Sequence, residues 1–446
     1  MTDTVELDTS RISDRAMDFK IFLEKEYVGQ ERAVKRLVQA YDFALSPIRD
    51  TTKPIFIGPC FGPSGVGKSF LARCVAKYFF EDPSALTFID CTKLTQGHEV
   101  SVLTGAPPGY LGYDNKNDAS RRNPPKLAQE KIDKHAADCL QKHLARKKEL
   151  QALQEKLDEL KKLHDFTAAE KPIASAGNVN QKLRNIMDLM EETEELYTTV
   201  ARKLSREILR KTDGKFFSVI LFDEFEKAHS NLHDNIMTIG DTGQLVLMND
   251  QITSFENSFV FLTSNLGSKA MDKLQRGGSK SIGFGSSSKQ SAKDEIYAAV
   301  VGEMKNYFKT EFLGRLQRDI IVFRPLRSAE MEEILKRFLE KIGFDLLIKI
   351  GAHLTIGYDV KTYILEDAAE HPEYGARPLE QAVDHLLQKP MARLVSSGQV
   401  GKSDEVSAHM REGKIVFTKT AKPPNKSTSL IKVAKFIEDQ PPFEEI

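Results

Sequence analysis

A phosphate-binding pattern is the clearest chemical feature of the sequence. The segment "GPSGVGKS" matches G-x-x-x-x-G-K-[ST], follows an apolar run and precedes a helical pattern. Glycines in such a loop let backbone N–H groups surround phosphate oxygens, and the N-terminus of the next helix adds a positive dipole. Lys68 would contact the β- and γ-phosphates of ATP, and Ser69 would bind Mg²⁺. A strand-to-helix turn without a ligand is the alternative, which this context disfavours. The nucleotide-binding residues predicted in this loop are Gly62, Pro63, Ser64, Gly65, Val66, Gly67, Lys68 and Ser69.

Two acidic residues follow a second apolar strand. Val219 to Phe222 are apolar and lead directly into Asp223 and Glu224. Asp223 would help to bind the nucleotide and Mg²⁺, and Glu224 would polarise a water molecule for attack on the γ-phosphate. Asn265 ends the apolar run in "FLTSN" and would orient that water. An acidic strand end without a catalytic role is the alternative, which a phosphate loop in the same sheet disfavours.

Length and composition describe a globular chain of two or three domains. It has 446 residues, of which 40% are apolar and 29% are charged. Lys and Arg number 64, as do Asp and Glu, and this balance argues against a nucleic-acid-binding protein. No apolar run is long enough to span a bilayer and the N-terminus is polar, so we expect no membrane association. The four cysteines have no metal-binding spacing, which favours free thiols and the cytoplasm, with an organelle matrix as the alternative.

Alternating strand and helix patterns predict a parallel α/β sheet. The strands are expected at Ile55–Phe61, at Thr87–Asp90, and in "FFSVILFDE" and "SFVFLTSN", with a helix at Phe70–Phe80. Pro59 lies within the first of these strands and has no N–H to donate, so we expect a bulge or a shortened strand there. A smaller mixed region is expected after Pro325, with helical patterns near 328–350 and 379–395 and strands near residues 354 and 415.

A long charged segment, residues 126–211, interrupts the α/β pattern. Leucines recur at spacings of three and four between Leu150 and Leu160, and a second apolar stripe runs from Val179 to Leu204. A short break near residues 171–177 separates the two stripes. Two narrow seams with charged flanks predict an antiparallel coiled-coil hairpin, with two ordinary amphipathic helices of a core as the alternative.

Taken in order, these motifs resemble those of the Clp family of AAA+ unfoldases, and specifically the second ATPase module of ClpA, ClpB and ClpC. "GPSGVGKS" looks like the Walker A motif of the family, "ILFDEFEKAH" like its Walker B motif and "TSNLGS" like its sensor 1. "EFLGRL" is similar to the arginine-finger segment, which implies that Arg315 reaches the γ-phosphate of a neighbouring subunit. "YGARPL" is similar to sensor 2, which implies that Arg377 contacts nucleotide. Val28 and Gly29 match the segment beside the adenine.

The resemblance implies an α/β fold with several parts. We expect an AAA+ P-loop large domain with a parallel sheet at residues 23–325 and a small α+β C-terminal domain at 326–420. The coiled-coil hairpin, 126–211, would be an insertion in the large domain. Residues 1–22 and 421–446 are expected to be tails.

The segment "GAPPGYLGYD" resembles the first pore loop of the family. The resemblance implies that Tyr110 and Leu111 line the axial channel of a hexamer, where an aromatic ring packs on an extended chain without reading its sequence. An anchoring role for Tyr110 within its own subunit is the alternative. Segment 240–251, near the second pore loop of the family, matches only loosely.

Ile282, Gly283 and Phe284 place two apolar side chains in a Gly/Ser-rich stretch. ClpA and ClpC carry a similar tripeptide that docks onto the peptidase ClpP, so the resemblance implies a ClpP-type partner. A chance match, or packing on its own ring, is the alternative.

Several functions are compatible with these motifs. We expect an ATPase that unfolds proteins and delivers them to a peptidase, with a free-standing chaperone or remodeller as the second hypothesis. A nucleic-acid motor and an ATP-switched scaffold are disfavoured by the neutral charge and by the intact catalytic residues. The predicted hairpin departs from the family pattern. Substrate recruitment is favoured for it, with ring regulation and adaptor binding as alternatives.

Overall fold

The computed structural model describes residues 8, 11–105, 124–169, 184–193, 196–197, 211, 215–268, 271, 297–316 and 319–421. The chain forms two compact units. The first is built from residues within 1–62 and 68–323, and the second from residues 63–67 and from those that follow Phe323. None of the helices in these described ranges is long and apolar enough to cross a membrane.

A five-stranded parallel sheet forms the centre of the first unit, which confirms the predicted architecture. The strand order is β2–β3–β6–β1–β7. The central strands β1, β3 and β6 are apolar and almost entirely buried, as expected for parallel strands with both faces covered. The strands of this unit are β1 (Phe56–Phe61), β2 (Thr87–Asp90), β3 (Ser218–Asp223), β4 (Gln244–Val246), β5 (Ile252–Ser254), β6 (Ser258–Ser264) and β7 (Ile321–Val322).

Pro59 causes no bulge, so that expectation was wrong. β1 pairs with β6 in continuous register through Pro59, which lies opposite Leu262. Successive residues of a strand direct their N–H and C=O groups to opposite neighbouring strands, so residues two apart face the same neighbour. The carbonyl of Phe61 accepts a hydrogen bond from Phe323 on the β7 side, so Pro59 also faces that side. β7 begins only opposite Cys60, and the missing N–H of Pro59 therefore leaves no ladder position unfilled.

In the ranges described, this unit contains eight α-helices whose ends are both defined. They are α1 (Asp14–Glu26), α2 (Glu31–Leu45), α3 (Lys68–Phe80), α4 (Ser101–Thr104), α5 (Gln129–Ile132), α6 (Lys134–Ala169), α7 (Ser230–Thr242) and α8 (Thr310–Leu316). Residues 184–193 and 297–304 are also helical.

The N-terminal helix α1 begins within the segment predicted to be a tail. The Ser13 hydroxyl accepts a hydrogen bond from the Ala16 N–H and caps the helix. Phe19 and Leu23 are fully buried, and the Phe19 ring lies against Tyr41 and Phe79. The prediction of a tail is therefore wrong for residues 14–22, which belong to the core of the first unit.

The predicted insertion includes part of the core of the first unit. Leu127 and Ile132 are buried in the same apolar cluster as the sheet, so residues 126–132 do not belong to a projecting hairpin. The hairpin prediction applies to α6, which is 36 residues and about 54 Å long. Beyond Arg146, the less exposed side chains of α6 are Leu150, Leu153, Leu157 and Leu160, the positions of the predicted seam.

The second helical segment, 184–193, follows the same pattern. Ile186 and Thr193 are buried on it, at spacings that match the second predicted seam. The break at 171–177 and residues 198–204 lie outside the described residues. The antiparallel course of the hairpin therefore stays a prediction.

The second unit is a small α+β domain. Its helices are α9 (Ser328–Ile350), α10 (Tyr358–Ala369), α11 (Arg377–Val383) and α12 (Lys389–Ser396), with a π-helical turn at Asp384–Gln388. Its sheet has the order β10–β9–β8, with β8 at His353–Ile356, β9 at Asp404–Arg411 and β10 at Lys414–Ala421. The helix at 328–350 was predicted with these bounds, whereas β9 was not predicted.

Candidate functional site

The end of the phosphate loop is held within the first unit by its lysine. Lys68 is the first residue of α3 and is only 8% exposed. Its Nζ donates one hydrogen bond of 2.7 Å to the Gly62 carbonyl and another of 3.0 Å to Asn265 Oδ1. The ammonium group therefore lies where β1 and β6 end, between the Gly62 carbonyl and the predicted sensor asparagine.

The predicted Mg²⁺ ligands lie side by side. The Ser69 hydroxyl donates a hydrogen bond of 2.7 Å to Asp223 Oδ1, and the Thr263 hydroxyl donates another of 2.5 Å to the same oxygen. Mg²⁺ binds oxygen ligands at about 2.1 Å in an octahedron, so neighbouring ligands lie about 2.9 Å apart. The Ser69–Asp223 spacing and the two oxygen donors fit such an ion, whose other ligands would be phosphate oxygens and water.

Glu224 has an unusual backbone conformation. Its φ of 53° and ψ of 48° are left-handed, a region that a non-glycine residue adopts at a cost of about 1–3 kcal/mol. This geometry ends β3 and starts the short 3-10 helix Phe225–Lys227. Within the described ranges, no residue donates a hydrogen bond to the Glu224 carboxylate.

Two further carboxylates hold the turn that carries Asn265. The Asn265 N–H donates to Glu226 Oε1 at 3.2 Å, and the Gly267 N–H donates to Glu303 Oε2 at 2.9 Å. The other oxygen of Glu226 is buried and has no hydrogen-bond partner in the described part of the chain. Glu226 and Glu303 thus fix the backbone on both sides of Leu266, and the Asn265 amide is directed towards Lys68.

The segment predicted to lie beside the adenine is close to the start of α3. Val28 and Gly29 follow Tyr27, whose ring stacks on Phe70 with a centroid distance of 5.9 Å. Gly29 has a φ of 72°, and the next residue, Gln30, is also left-handed. The chain therefore turns sharply next to α3 before it enters α2.

The middle of the phosphate loop belongs to the second unit together with "YGARPL". The Gly65 carbonyl accepts a hydrogen bond of 3.0 Å from the Ala376 N–H. Gly65 and Gly375 both have positive φ, and a Cβ on Gly375 would lie 2.7 Å from the Gly65 backbone. Only glycine fits this close approach. Arg377 begins α11 and is exposed, and no hydrogen bond or ion pair joins its side chain to another described residue.

Arg315 makes its side-chain contacts with α7. It is on α8, its side chain is 49% exposed, and its Nη2 lies 3.2 Å from Asp241 Oδ2. Its Nη1 donates to Met237 Sδ at 3.4 Å. The guanidinium is therefore at the surface of the subunit, with both contacts on α7.

Burial strongly changes the acidity of one thiol in this region. Cys60 is fully buried in β1, and burial raises the pKa of its thiol to about 12. A thiol of this kind is inert at neutral pH. This agrees with the expectation of free cysteines, and all four are free.

Some predicted site residues lie outside the described residues. They are the pore-loop residues Tyr110 and Leu111 and the docking tripeptide Ile282, Gly283 and Phe284. Their roles stay predictions.

Sequence reasoning missed four residues that hold the site together, namely Thr263, Glu226, Glu303 and Asp241. Thr263 had a signal, since it is a hydroxyl residue near the end of a strand that is buried throughout. Glu226 had a weaker one as the third acid of "DEFE". Glu303 and Asp241 had none, because their partners are distant in sequence.

Comparisons with known proteins agree with this architecture. Residues 53–194 and 205–319 match the family described as "AAA domain (Cdc48 subfamily)". Residues 326–408 match "C-terminal, D2-small domain, of ClpB protein". The chain therefore belongs to the AAA family, within which it corresponds to a Clp-type second module, and it is an ATPase that binds ATP.

Several curated proteins are similar to nearly the whole chain. Chaperone protein ClpC2 of Oryza sativa subsp. japonica is 28% identical over 92% of this chain and 35% of its own length. The ATP-dependent Clp protease ATP-binding subunit ClpC of Staphylococcus epidermidis is 26% identical over 89% of this chain and 36% of its own length. The chain spans about a third of the length of the curated relatives it matches. Some of these relatives are chloroplastic and others bacterial, so the cytoplasmic location stays a prediction.

Proposed function

We propose that this ATPase is a ring-forming protein unfoldase that threads polypeptide through an axial pore and delivers it to a ClpP-type peptidase. One observation carries the proposal. The Lys68 ammonium contacts Asn265 and the adjacent Ser69 contacts Asp223, whereas Arg315 lies exposed at the surface and contacts α7. This division is what a site completed by a neighbouring subunit requires. The names of the relatives, which include a chaperone and a protease ATP-binding subunit, support the same function.

Each residue has a distinct part in the proposed hydrolysis. Lys68 neutralises charge on the β- and γ-phosphates, and Ser69 with Asp223 would hold Mg²⁺, which neutralises the phosphates further when bound. Glu224 accepts a proton from the attacking water, and Asn265 orients that water. Arg377 would contact nucleotide from the small domain, and Val28 and Gly29 would border the adenine.

Arg315 supplies the remaining positive charge in trans. A guanidinium that reaches the γ-phosphate of the next subunit stabilises charge that develops in the transition state, an effect worth about 10³–10⁵ in turnover in other NTPases. Hydrolysis would thus depend on assembly, which we infer to be a hexamer from the Clp resemblance.

The mechanical work would act on polypeptide through Tyr110 and Leu111. Ile282, Gly283 and Phe284 would dock the ring onto the peptidase. We further propose the domain plan of a large domain to residue 325, a small domain at 326–420 and a tail at 421–446. The part of the insertion beyond Arg146 would be a coiled-coil hairpin that recruits substrate or binds an adaptor.

Unfolding of a tagged fluorescent protein tests this function. We expect ATP-dependent loss of fluorescence that becomes irreversible with a ClpP-type peptidase and disappears in Tyr110→Ala, which keeps ATP hydrolysis. Deletion of 282–284 should abolish degradation and spare both ATP hydrolysis and unfolding. Tyr110-dependent unfolding that does not respond to peptidase would instead establish the free-standing remodeller. ATP hydrolysis without any unfolding would refute both.

A further inference from the structure

Arg315 is held by one helix of its own subunit. Its two contacts, Asp241 Oδ2 at 3.2 Å and Met237 Sδ at 3.4 Å, come from residues one turn apart on α7. A guanidinium has five N–H donors in a fixed plane. These contacts use its two terminal nitrogens on the α7 side, and half of the side chain stays exposed. Asp241 therefore orients the group without covering it.

The helix that carries Asp241 begins next to the acidic end of β3. Six residues after Glu224 the chain enters α7 at Ser230, and this helix is 13 residues and about 20 Å long. His233 on α7 packs against Phe225, Phe308 and Phe312, with ring centroids 4.8, 5.1 and 5.7 Å away. This aromatic cluster fixes α8 against α7. Asp241 then contacts Arg315, the basic side chain in the last turn of α8.

We propose that Asp241 is a positioning residue that pre-orients Arg315 for catalysis in the neighbouring subunit. The inference rests on the proposed function of Arg315 as a trans-acting group. A long cationic side chain at the surface samples many rotamers, and a fixed donor stabilises a transition state better than one that must reorganise. The Asp241 carboxylate restricts those rotamers and leaves the remaining N–H groups to donate to a phosphate oxygen.

A stability role does not account for the pair. Both partners are about half exposed, and exposed ion pairs contribute little to folding. A second pair provides a matched comparison, because Lys309 Nζ lies 3.0 Å from Asp234 Oδ1 with similar exposure. It joins the same helix, α7, to the residue just before α8. Removal of Asp234 should therefore reproduce any general effect of losing an acidic side chain from α7. It should leave the orientation of Arg315 unchanged.

Steady-state ATP hydrolysis by the assembled full chain tests the proposal. We expect Asp241→Asn to lower kcat about tenfold, with KM for ATP, Tm and assembly unchanged. Asp234→Asn should match wild type, and Asp241→Glu should recover part of the lost kcat. Arg315→Ala should lower kcat more than Asp241→Asn, and the double variant should be no worse than Arg315→Ala alone, because the two residues act as a unit.

Mixed assemblies test whether the effect acts between subunits. Glu224→Gln chains cannot activate water but carry an intact Asp241–Arg315 pair. Turnover per Asp241→Asn chain should therefore rise when the two are mixed, measured against wild type mixed with the same Glu224→Gln chain. A role for Asp241 within its own subunit's site would give no rise.

The outcomes separate this inference from the function on which it rests. If Arg315→Ala lowers kcat and Asp241→Asn does not, Asp241 is not a positioning residue and the trans-acting arginine stands. If Arg315→Ala has no effect, both ideas fail. A higher kcat in Asp241→Asn, or loss of assembly in that variant alone, would also overturn the inference, since Asp241 would then restrain Arg315 or hold subunits together.

Discussion

The Ser69 hydroxyl donates a 2.7 Å hydrogen bond to the Asp223 carboxylate, and so joins the first turn of α3 to the end of β3. These residues are 154 positions apart in sequence, and the insertion lies between them. Their spacing matches that of two neighbouring ligands of one Mg²⁺ ion. The parallel sheet therefore brings two sequence motifs together into a single candidate metal site.

Loss of the carboxylate should affect the metal more than the fold. We expect Asp223→Asn to lower kcat by at least about 100-fold and to shift the Mg²⁺ dependence of ATP binding to higher concentration. Both Ser69 and Thr263 can still donate to the amide oxygen, so Tm should change little. Mg²⁺ titration measures the metal dependence of nucleotide binding, steady-state hydrolysis measures kcat, and calorimetry of the free chain measures Tm. Wild-type Mg²⁺ dependence in this variant would remove Asp223 from the metal site.

The left-handed backbone of Glu224 predicts that a substitution at this position can increase stability while it abolishes activity. Asparagine tolerates this conformation better than glutamate, so Glu224→Asn should raise the free energy of unfolding by up to about 1 kcal/mol. The same variant should lose ATP hydrolysis by about 10²–10⁴-fold because no base of sufficient reach remains. Glu224→Gln is the matched control, with similar loss of hydrolysis and no gain in stability. Denaturant unfolding and steady-state hydrolysis of the three proteins check the prediction, which equal stabilities of Asn and Gln variants would contradict.

Glu303 should act through the backbone that it holds. Glu303→Ala removes the acceptor of the Gly267 N–H and frees the turn that carries Asn265, so we expect kcat to fall about tenfold with ATP affinity unchanged. Glu303→Gln keeps an oxygen acceptor and should retain most activity. Comparison of kcat and KM for the two variants separates hydrogen bonding from charge. Equal losses in both would show that the negative charge, and not the hydrogen bond, is what matters.

Buried His233 should make the first unit sensitive to mild acid. Burial lowers the pKa of this imidazole below its ordinary 6.5, although its hydrogen bond with the Phe225 backbone and the charge of Asp234 oppose the change. The unfolded chain then binds a proton below pH 6.5 that the folded chain does not, so stability falls as the pH drops from 6.5 towards the folded pKa. His233→Phe, among Phe225, Phe308 and Phe312, removes the titrating group.

The difference in the pH dependence of stability between wild type and His233→Phe isolates the contribution of His233. His135 and His143 also have lowered pKa values and contribute in the same pH range, but they are present in both. Urea unfolding at pH 7.5 and 5.5 should show a smaller loss of stability for His233→Phe than for wild type. An identical loss in both would mean that His233 does not titrate in this range.

How far the sequence predicts this molecule depends on the range of the interactions. The phosphate loop, the acidic end of β3 and the helix at 328–350 follow from local spacing, because apolar periodicity and glycine geometry act over a few residues. The hydrogen bond between Gly267 and Glu303 and the ion pair between Arg315 and Asp241 join segments that are distant in sequence. No local sequence pattern predicts such contacts. The expected bulge at Pro59 was wrong for the same reason, because Pro59 is compatible with a regular strand only when β7 begins after it.

The start of the predicted insertion, residue 126, was placed too early by the sequence alone, and deletions can test where the insertion leaves the core. Two contacts anchor the chain at the C-terminal end of α3, where Arg146 Nη1 lies 3.5 Å from Glu81 Oε2 and Lys211 Nζ donates to the Tyr78 carbonyl at 2.5 Å. Because Tyr78 and Glu81 are three residues apart at this end of α3, a linker of six residues, about 20 Å when extended, should connect the two segments that contact them. This end of α3 is about 18 Å from Lys68, the first residue of the helix.

Two deletions should therefore behave differently. Replacement of residues 147–205 by such a linker keeps Arg146 and Lys211, so we expect wild-type Tm and ATP hydrolysis together with weaker engagement of protein substrate. Replacement of residues 136–204 removes the fully buried Ala136 and the Arg146 contact. It should lower Tm by at least about 3 °C, since each kcal/mol of lost stability shifts Tm by about 2–4 °C in a domain of this size. Thermal unfolding, ATP hydrolysis and the KM for a tagged substrate distinguish them. If the shorter deletion already abolishes ATP hydrolysis, the hairpin acts on the ring through α3 and not as a substrate-recruiting arm.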